Sequence, residues 1–441
     1  MSINHPLLNM HPQELVRFLR ANGIRRFHFI HDAHRRTMTA SHPRLQPIAD
    51  FVLADQRDFM EHEGAFFQVS REHDTLQGAF VHRTRRGQAA GGVRYWQYDT
   101  VESYLRDGLR LAKGMTRKNA LAGLWWGGGK GVMAHNPEVD KYDPGIREDI
   151  YREFGELLSA IRGCYVTAED VGTHVVDMAH VFARTRFTTC IPQGLGGSGN
   201  PSVPTARGVV AGMEAALDFL GEGNLEGKAV AVQGMGNVAA PLIRFLLENK
   251  VRKVAACDIN PGLTDTIRQS FPDELVKPRT VDPGDLSIFA EECDILAPCA
   301  CGAVLNPKTI PMIRARIVCG AANNQLEDAA RDDRLLHARG ILYVPDFLTN
   351  RMGIVNCANE QDGEVARDPM IERHLEREWE HSIHQAATRV FRRSKESGEP
   401  PALVAMALAD ELSLVEHPIT GHRGRQIIDS LAASNWYEED N

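Results

Sequence analysis

The spacing of apolar and polar positions changes character along the chain. Residues 1–60 read as helical and polar-rich, with Leu15, Phe18 and Leu19 on one amphipathic face of HPQELVRFLRANG. Within this stretch FHFIHD suits a strand as well as a helix. His28, His31 and His34 are expected to be partly exposed, as are His374, His381 and His384. From Ala65 onward AFFQVS and QGAFVHR are short β-type runs joined by the polar REHDTL, the pattern of a hairpin. After Gly91, Gly92 and VRYW, the apolar positions Val101, Tyr104, Leu105, Leu109, Ala112 and Met115 follow the helical period. Ile146, Ile150, Phe154, Leu157 and Leu158 predict a second helix over about 144–161.

The segment QGLGGSGNPSVP, residues 193–204, is the clearest Gly/Ser/Pro-rich break and marks the expected domain boundary or hinge. A helix is predicted from about Thr205. Beyond it KAVAVQG, KVAACD, CDILAPCA, ARIVCGAA and ILYVPD are short, nearly continuous apolar runs, as strands buried on both faces should be. The helical segment NVAAPLIRFLLENK separates the first two. This alternation implies an α/β fold with a parallel, doubly wound sheet. From about residue 370 the pattern is helical to the end.

Composition narrows the picture. A chain of 441 residues holds about two or three domains. No apolar run approaches the roughly 20 residues of a membrane span. The N-terminus lacks a basic region followed by an apolar stretch, so a cytoplasmic protein is expected. A net charge of -8 argues against a nucleic-acid partner. None of the eight cysteines forms a Cys-x-x-Cys pair, and they read as reduced core thiols. The spacing of Cys299 and Cys301 is wrong for a zinc knuckle, and no metal site is expected.

Two segments carry chemistry. In the first, a predicted strand runs into Gly234-Met235-Gly236-Asn237-Val238-Ala239 and then a helix. This is the G-x-G-x-x-A form of the dinucleotide fingerprint. Gly234 allows the tight turn, Gly236 admits the pyrophosphate, Ala239 permits close helix packing, and the helix start offers free N–H groups. The next strand ends at Asp258, 24 residues after Gly234, where a carboxylate accepts from both ribose hydroxyls and repels a 2′-phosphate. NAD is therefore expected rather than NADP.

The second segment runs from Met115 through Lys118 and Asn119 to Gly127-Gly128-Gly129-Lys130. Three successive glycines suit backbone that passes close to a ligand. The two lysines are either ordinary exposed charges or groups held at that ligand.

Here the sequence resembles the glutamate/leucine/phenylalanine/valine dehydrogenase family. The resemblance lies in Leu124-x-x-Gly127-Gly128-Gly129-Lys130-x-Val132-x-x-x-Asn136-Pro137, in Gly-Met-Thr-x-Lys-Asn-x-x-Ala-Gly at 114–123, and in Thr167-Ala-Glu-Asp170-Val-Gly-Thr173. It continues through Gly199-Asn-Pro-Ser202, Pro298-Cys-Ala-x-Gly-Ala-Val-Leu-Asn306, Asn324-Gln-Leu326 and Pro345-Asp-Phe. In motif it stands nearest the leucine dehydrogenases and covers about residues 65–430.

The resemblance implies two domains. An N-terminal α/β substrate domain over 1–200 begins with an extension, 1–60. A Rossmann-type doubly wound parallel-sheet dinucleotide domain spans 201–365, and a C-terminal helical segment, 366–441, packs back. Lys118 would hold the substrate α-carboxylate, Lys130 would polarise the developing carbonyl and help activate water, and Asp170 would shuttle protons at nitrogen. Ala90, Gly91, Gly92 and Met115 would shape the substrate pocket. Gly234, Gly236, Asn237, Val238, Asp258, Thr205, Cys299, Ala300, Asn324 and Asn350 would contact the cofactor. The implied reaction is reversible NAD-dependent oxidative deamination of an L-amino acid to a 2-oxo acid and ammonia, by a homo-oligomer acting on a small molecule.

Two departures bear on substrate. Glutamate dehydrogenases of the family place a lysine where Ala90 stands, and leucine dehydrogenases a leucine. Ala90 therefore points to a longer aliphatic or an aromatic side chain, not glutamate. Asn350-Arg351-Met352-Gly353 replaces the usual Asn-Ala-Gly-Gly. Arg351 is expected either to face the cofactor and substrate or to point to solvent. The alternative reading is an NAD-binding regulatory or assembly protein that has lost deaminase activity.

Overall fold

The computed structural model describes residues 5–360 and 368–438. Its first sheet comprises β1 (Arg26–Asp32), β2 (Thr37–Ala40), β3 (Gly64–Val69), β4 (Leu76–Arg83), β5 (Ala89–Ala90), β6 (Val93–Trp96), β7 (Gly127–Ala134) and β8 (Tyr165–Val166). The order is β2-β1-β3-β4-β7-β5-β8, with β6 also joined to β7. Neighbours from β2 to β7 pair antiparallel, while β5 and β6 run parallel to β7, and β8 to β5. The β3–β4 hairpin follows the alternating pattern of the sequence. Helix Val101–Leu121 starts on a Thr100 cap and lies across β4 and β7. Gly108 makes that approach possible, because a Cβ there would run into the ring of Phe80.

Residues 1–60 are less helical than expected. Helices Pro6–Asn9, Pro12–Ala21 and Gln46–Ala54 flank a β1–β2 hairpin that extends the sheet beyond β3. The reason is period-2 alternation in RFHFIHD. Phe27 stacks on Phe67 with ring centroids 4.6 Å apart, and Phe29 lies 5.3 Å from the same ring. His28 points the other way and accepts a hydrogen bond from Trp436 Nε1 at 2.9 Å. It is 5% exposed, not solvated, and burial pushes its pKa down to about 4. His31 and His374 are likewise buried, while His34, His381 and His384 keep partial or full exposure.

The second sheet contains β9 (Ala229–Gln233), β10 (Lys253–Asp258), β11 (Val276–Thr280), β12 (Ile295–Pro298), β13 (Ile317–Val318) and β14 (Leu342–Tyr343). It is parallel throughout, in the order β11-β10-β9-β12-β13-β14. This is the doubly wound dinucleotide-binding arrangement, with its topological switch between β9 and β12. The apolar runs supply five of the strands; β11, VKPRT, has no such run. As an edge strand it tolerates Pro278 and its charges. Helix Ser202–Leu220, starting three residues before Thr205, packs against helices Ala239–Glu248 and Ile383–Ser397.

The C-terminal helices return to the first sheet. Helix Pro401–Ser413 lies along Val101–Leu121, and Ile428, Leu431 and Trp436 enter the core beneath β3 and β4. The expected junction at 365/366 lies outside the described residues. All eight cysteines are free, but Cys301 is exposed and Cys293 and Cys299 are half-buried, because they sit at strand ends and not inside strands. No helix among the described residues is long and apolar enough to cross a membrane.

Candidate active site

The helix Val101–Leu121 ends at Ala122, and the chain turns and re-enters the sheet as β7. The triple glycine brings the two into backbone contact: a Cβ on Gly128 would overlap Thr116. That contact sets Lys118, on the helix, and Lys130, on the strand, along one cleft. Asp170 joins them from the loop after β8, its backbone N–H donating to Thr173 Oγ1 at 2.8 Å. Lys130 Nζ lies 3.0 Å from Asp170 Oδ2. The cavity has a volume of about 520 Å³ and takes Met115, Lys118, Lys130 and Asp170 from one side and Asn324 and Asp346 from the other.

The charges are linked. Arg94 Nε stands 3.5 Å from Asp170 Oδ2, and its Nη1 donates to both oxygens of Asp107 at 2.9 and 3.2 Å. Tyr98 and Arg110 also donate to Asp107, at 2.8 and 2.6 Å. Burial alone raises the Asp170 carboxyl, but Lys130 and Arg94 outweigh it and hold it below the usual carboxylate range. Lys130 is 3% exposed; desolvation and Arg94 lower its pKa against the support of Asp170. Half-buried Lys118 donates to Asn323 Oδ1 at 3.2 Å. Burial pushes its pKa down to about 8, Asp346 opposing and Lys130 assisting. Asp346 is pushed up by burial. A lysine lowered to about 8, as Lys118 is, exchanges protons near neutrality.

Lys118, Lys130, Asp170, Met115 and Asn324 therefore share the cavity. Ala90, Gly91 and Gly92 do not line it and lie behind its wall. Gly91 packs on Gly129 O and Met115, and a Cβ on Gly92 would come 2.8 Å from Asp170 Cβ. Asn350 is buried, donating to Ala321 O at 3.1 Å and to Asn323 Oδ1 at 2.9 Å. Thr205 is buried at the start of its helix and donates to Pro201 O at 2.8 Å.

The remaining candidates gather at the C-terminal ends of β9, β10 and β12. Gly234 adopts φ +94°, and a Cβ there would come 2.7 Å from that of Ala300. Gly236 and Asn237 are exposed and Val238 is half-buried, just before helix Ala239–Glu248. A Cβ on Gly236 would meet nothing within 4 Å. Asp258 Oδ2 accepts from Met235 N at 2.7 Å and Oδ1 from Asn260 N at 2.9 Å, which fixes the carboxylate beside the turn. Cys299 N donates to Gln233 O at 2.7 Å, and Ala300 is exposed beyond it. A left-handed glycine, open space over a helix start and an anchored acid at the next strand end form a donor set that fits a dinucleotide.

Arg351 corrects an expectation. It faces neither solvent nor the cavity and is 0% exposed, since helix Ile383–Ser397 and the segment before it close over it. Residues to which the sequence reading gave no role also enter the site. Arg94, Asp107, Asn323 and Asp346 are placed by pairing across the fold; of these only Asp346 stands in a recognised motif. Arg57 and Asp58, from the N-terminal extension, line the mouth of the same cavity.

Comparison with known proteins gives the family. Residues 67–187 match the family described as Glu/Leu/Phe/Val dehydrogenase, dimerisation domain. Residues 196–267 and 268–417 match Glutamate/Leucine/Phenylalanine/Valine dehydrogenase. The chain belongs to the Glu/Leu/Phe/Val dehydrogenase family. It is 40% identical over 352 residues to leucine dehydrogenase of Geobacillus stearothermophilus, covering 80% of this chain and 90% of the relative. Against leucine dehydrogenase of Bacillus subtilis the identity is 42% over 332 residues, 75% and 85% of the two chains. The crystal structure of L-tryptophan dehydrogenase from Nostoc punctiforme superposes with a TM-score of 0.65 at 31% identity, over 80% of this chain and 96% of the other. As a member of this family the chain is an amino-acid dehydrogenase.

Proposed function

We propose that this dehydrogenase catalyses reversible, NAD-dependent oxidative deamination of an L-amino acid with an apolar aliphatic or aromatic side chain, giving the 2-oxo acid and ammonia. The observation that carries the reading is the 3.0 Å Lys130–Asp170 pair sharing one cleft with Lys118. In this mechanism Lys118 pairs with the α-carboxylate. Asp170 and Lys130 act as one coupled acceptor for the proton leaving the substrate ammonium. A bound nicotinamide supplies the acceptor for the α-hydrogen and its electron pair. Lys130, as the amine, takes a proton from the water that adds to the resulting iminium carbon, Asp170 returns the substrate's proton to nitrogen, and ammonia departs as the remaining hydroxyl proton passes to Asp170. Desolvation in the cleft strengthens each of these contacts.

Asp258 supports NAD over NADP, because its fixed carboxylate opposes a 2′-phosphate. The similarity to leucine and L-tryptophan dehydrogenases supports an apolar aliphatic or aromatic side chain. The name of the matched N-terminal family supports a homo-oligomer, and eight free cysteines support a cytoplasmic enzyme. The trio of Lys118, Lys130 and Asp170 is intact, which gives a purely regulatory role no support. The test is NADH formation across the twenty amino acids, with NAD and NADP in parallel. Turnover should be greatest among leucine, valine, phenylalanine and tryptophan with NAD. Preference for glutamate, or for NADP, would overturn the corresponding part of the reading.

A further inference from the structure

The helix that carries Lys118 is closed at its C-terminal end by a side chain from the other half of the molecule. Its last four carbonyls all have partners. Those of Lys118, Asn119 and Ala120 accept from Ala122 N, Leu124 N and Gly123 N at 3.1, 3.1 and 3.0 Å. The fourth, Leu121 O, accepts from Arg351 Nη1 at 2.7 Å. Arg351 Nη2 donates to His381 O. The same turn is wedged against that residue, since a Cβ on Gly123 would lie 2.7 Å from His381 Cγ.

Nothing else accounts for a guanidinium at this place. Among the described residues no carboxylate oxygen lies within 4.0 Å of Arg351, and its Nε has no partner. Its charged neighbours are Arg389 and, when protonated, His374 and His381, and burial holds its pKa down at about 9. A buried cation without a counter-charge costs several kcal/mol. The favourable terms left to it are two charge-assisted bonds to carbonyls and the negative end of a helix dipole.

The residue before it is linked to the Lys118 side chain through Asn323. Asn350 donates to Asn323 Oδ1 at 2.9 Å, and that oxygen also accepts from Lys118 Nζ at 3.2 Å. Arg351 thus holds the last carbonyl of the turn 118–121, and Asn350 fixes the Asn323 oxygen that the Lys118 ammonium meets. We infer that Arg351 is a positioning residue, a cap in trans that fixes where the Lys118 ammonium stands in the cleft. This rests on the proposed role of Lys118 in binding the substrate carboxylate.

The experiment compares Arg351→Met, Arg351→Ala and Arg351→Lys with Lys118→Ala in steady-state kinetics and NADH binding. Arg351→Met should raise the amino-acid KM about tenfold, the effect of one lost charged hydrogen bond, and leave NADH affinity within about twofold. Arg351→Lys, which keeps a cation on Leu121 O, should recover most of that loss. Millimolar guanidinium chloride should restore Arg351→Ala and leave the parent enzyme unchanged. A parent-like amino-acid KM in Arg351→Met, or equal losses toward amino acid and NADH without rescue, overturns the inference. If Arg351→Met does not fold, Arg351→Lys decides: with one bond fewer it should show a KM raised about threefold, and a parent-like KM overturns the inference. If Lys118→Ala keeps a parent-like KM, the reading of Lys118 fails instead.

Discussion

Around Lys130 the chain buries charge, whereas around Gly236 it leaves space. Lys130 is 3% exposed and held between Asp170 and the Arg94–Asp107 network, with every partner supplied by a different strand, helix or loop. At Gly236 no side chain approaches within 4 Å of a Cβ position, and the polar groups on offer are backbone N–H groups and the anchored Asp258. The contrast is what the two proposed tasks require. Proton transfer at a substrate nitrogen needs fixed, desolvated charges whose pKa values are displaced in advance. A dinucleotide must enter and leave each cycle, so its site is made of backbone donors already oriented by the turn.

If that division is real, the two regions fail separately. The largest effect should come from Lys130→Ala and Asp170→Asn, each lowering turnover by about 10²- to 10⁴-fold. Both variants should stay folded, and titration with NADH should give affinity within about twofold of the parent. A parallel collapse of NADH binding would show the regions to be one unit. Retained turnover in either variant would remove the proposed proton relay.

The converse substitution, Asp258→Ala, should act on the cofactor alone. Hydrogen bonds to a charged group are worth about 1.5–3 kcal/mol, so kcat/KM for NAD should fall about ten- to hundredfold. The loss toward NADP should be smaller, because the repulsion of a 2′-phosphate goes with the carboxylate. The amino-acid KM should hold. A shift in that KM as large as the cofactor effect would again contradict the separation.

The same contrast explains what could be read from the sequence. The dinucleotide turn was legible because its determinants are local: Gly234, Gly236 and Ala239 lie within six residues, and Asp258 ends the next strand. Parallel strands showed as apolar runs because both of their faces are covered, and β11 escaped because an edge strand needs no such run. Lys118, Lys130 and Asp170 were reached only through resemblance. Their local pattern was equally compatible with exposed lysines, since burial here depends on β7 and the loop after β8 meeting the helix. Arg94, Asp107 and Asn323 left no trace, as each acquires its role from a partner placed by tertiary contact. Arg351 and His28 were misjudged for one reason. Elements arriving much later in the chain, around His381 and Trp436, close over them.

The smallest effect tests the comparison without changing a residue. Burial depresses Lys118 to about 8, more than Asp346 restores, and Lys130 adds to the depression. Its ammonium form, which would hold the substrate carboxylate, prevails below that value and gives way to the neutral amine above it. Affinity for a 2-oxo acid, which has the carboxylate but no titrating amine, should therefore weaken about tenfold between pH 7 and pH 9. Calorimetry at fixed ionic strength measures this directly, and NADH affinity over the same range should stay flat, since backbone donors do not titrate. In Lys118→Arg the guanidinium remains charged throughout, so the slope should vanish even if binding is weaker overall. A slope that persists in Lys118→Arg would assign the titration to Lys130 and leave Lys118 outside the carboxylate site.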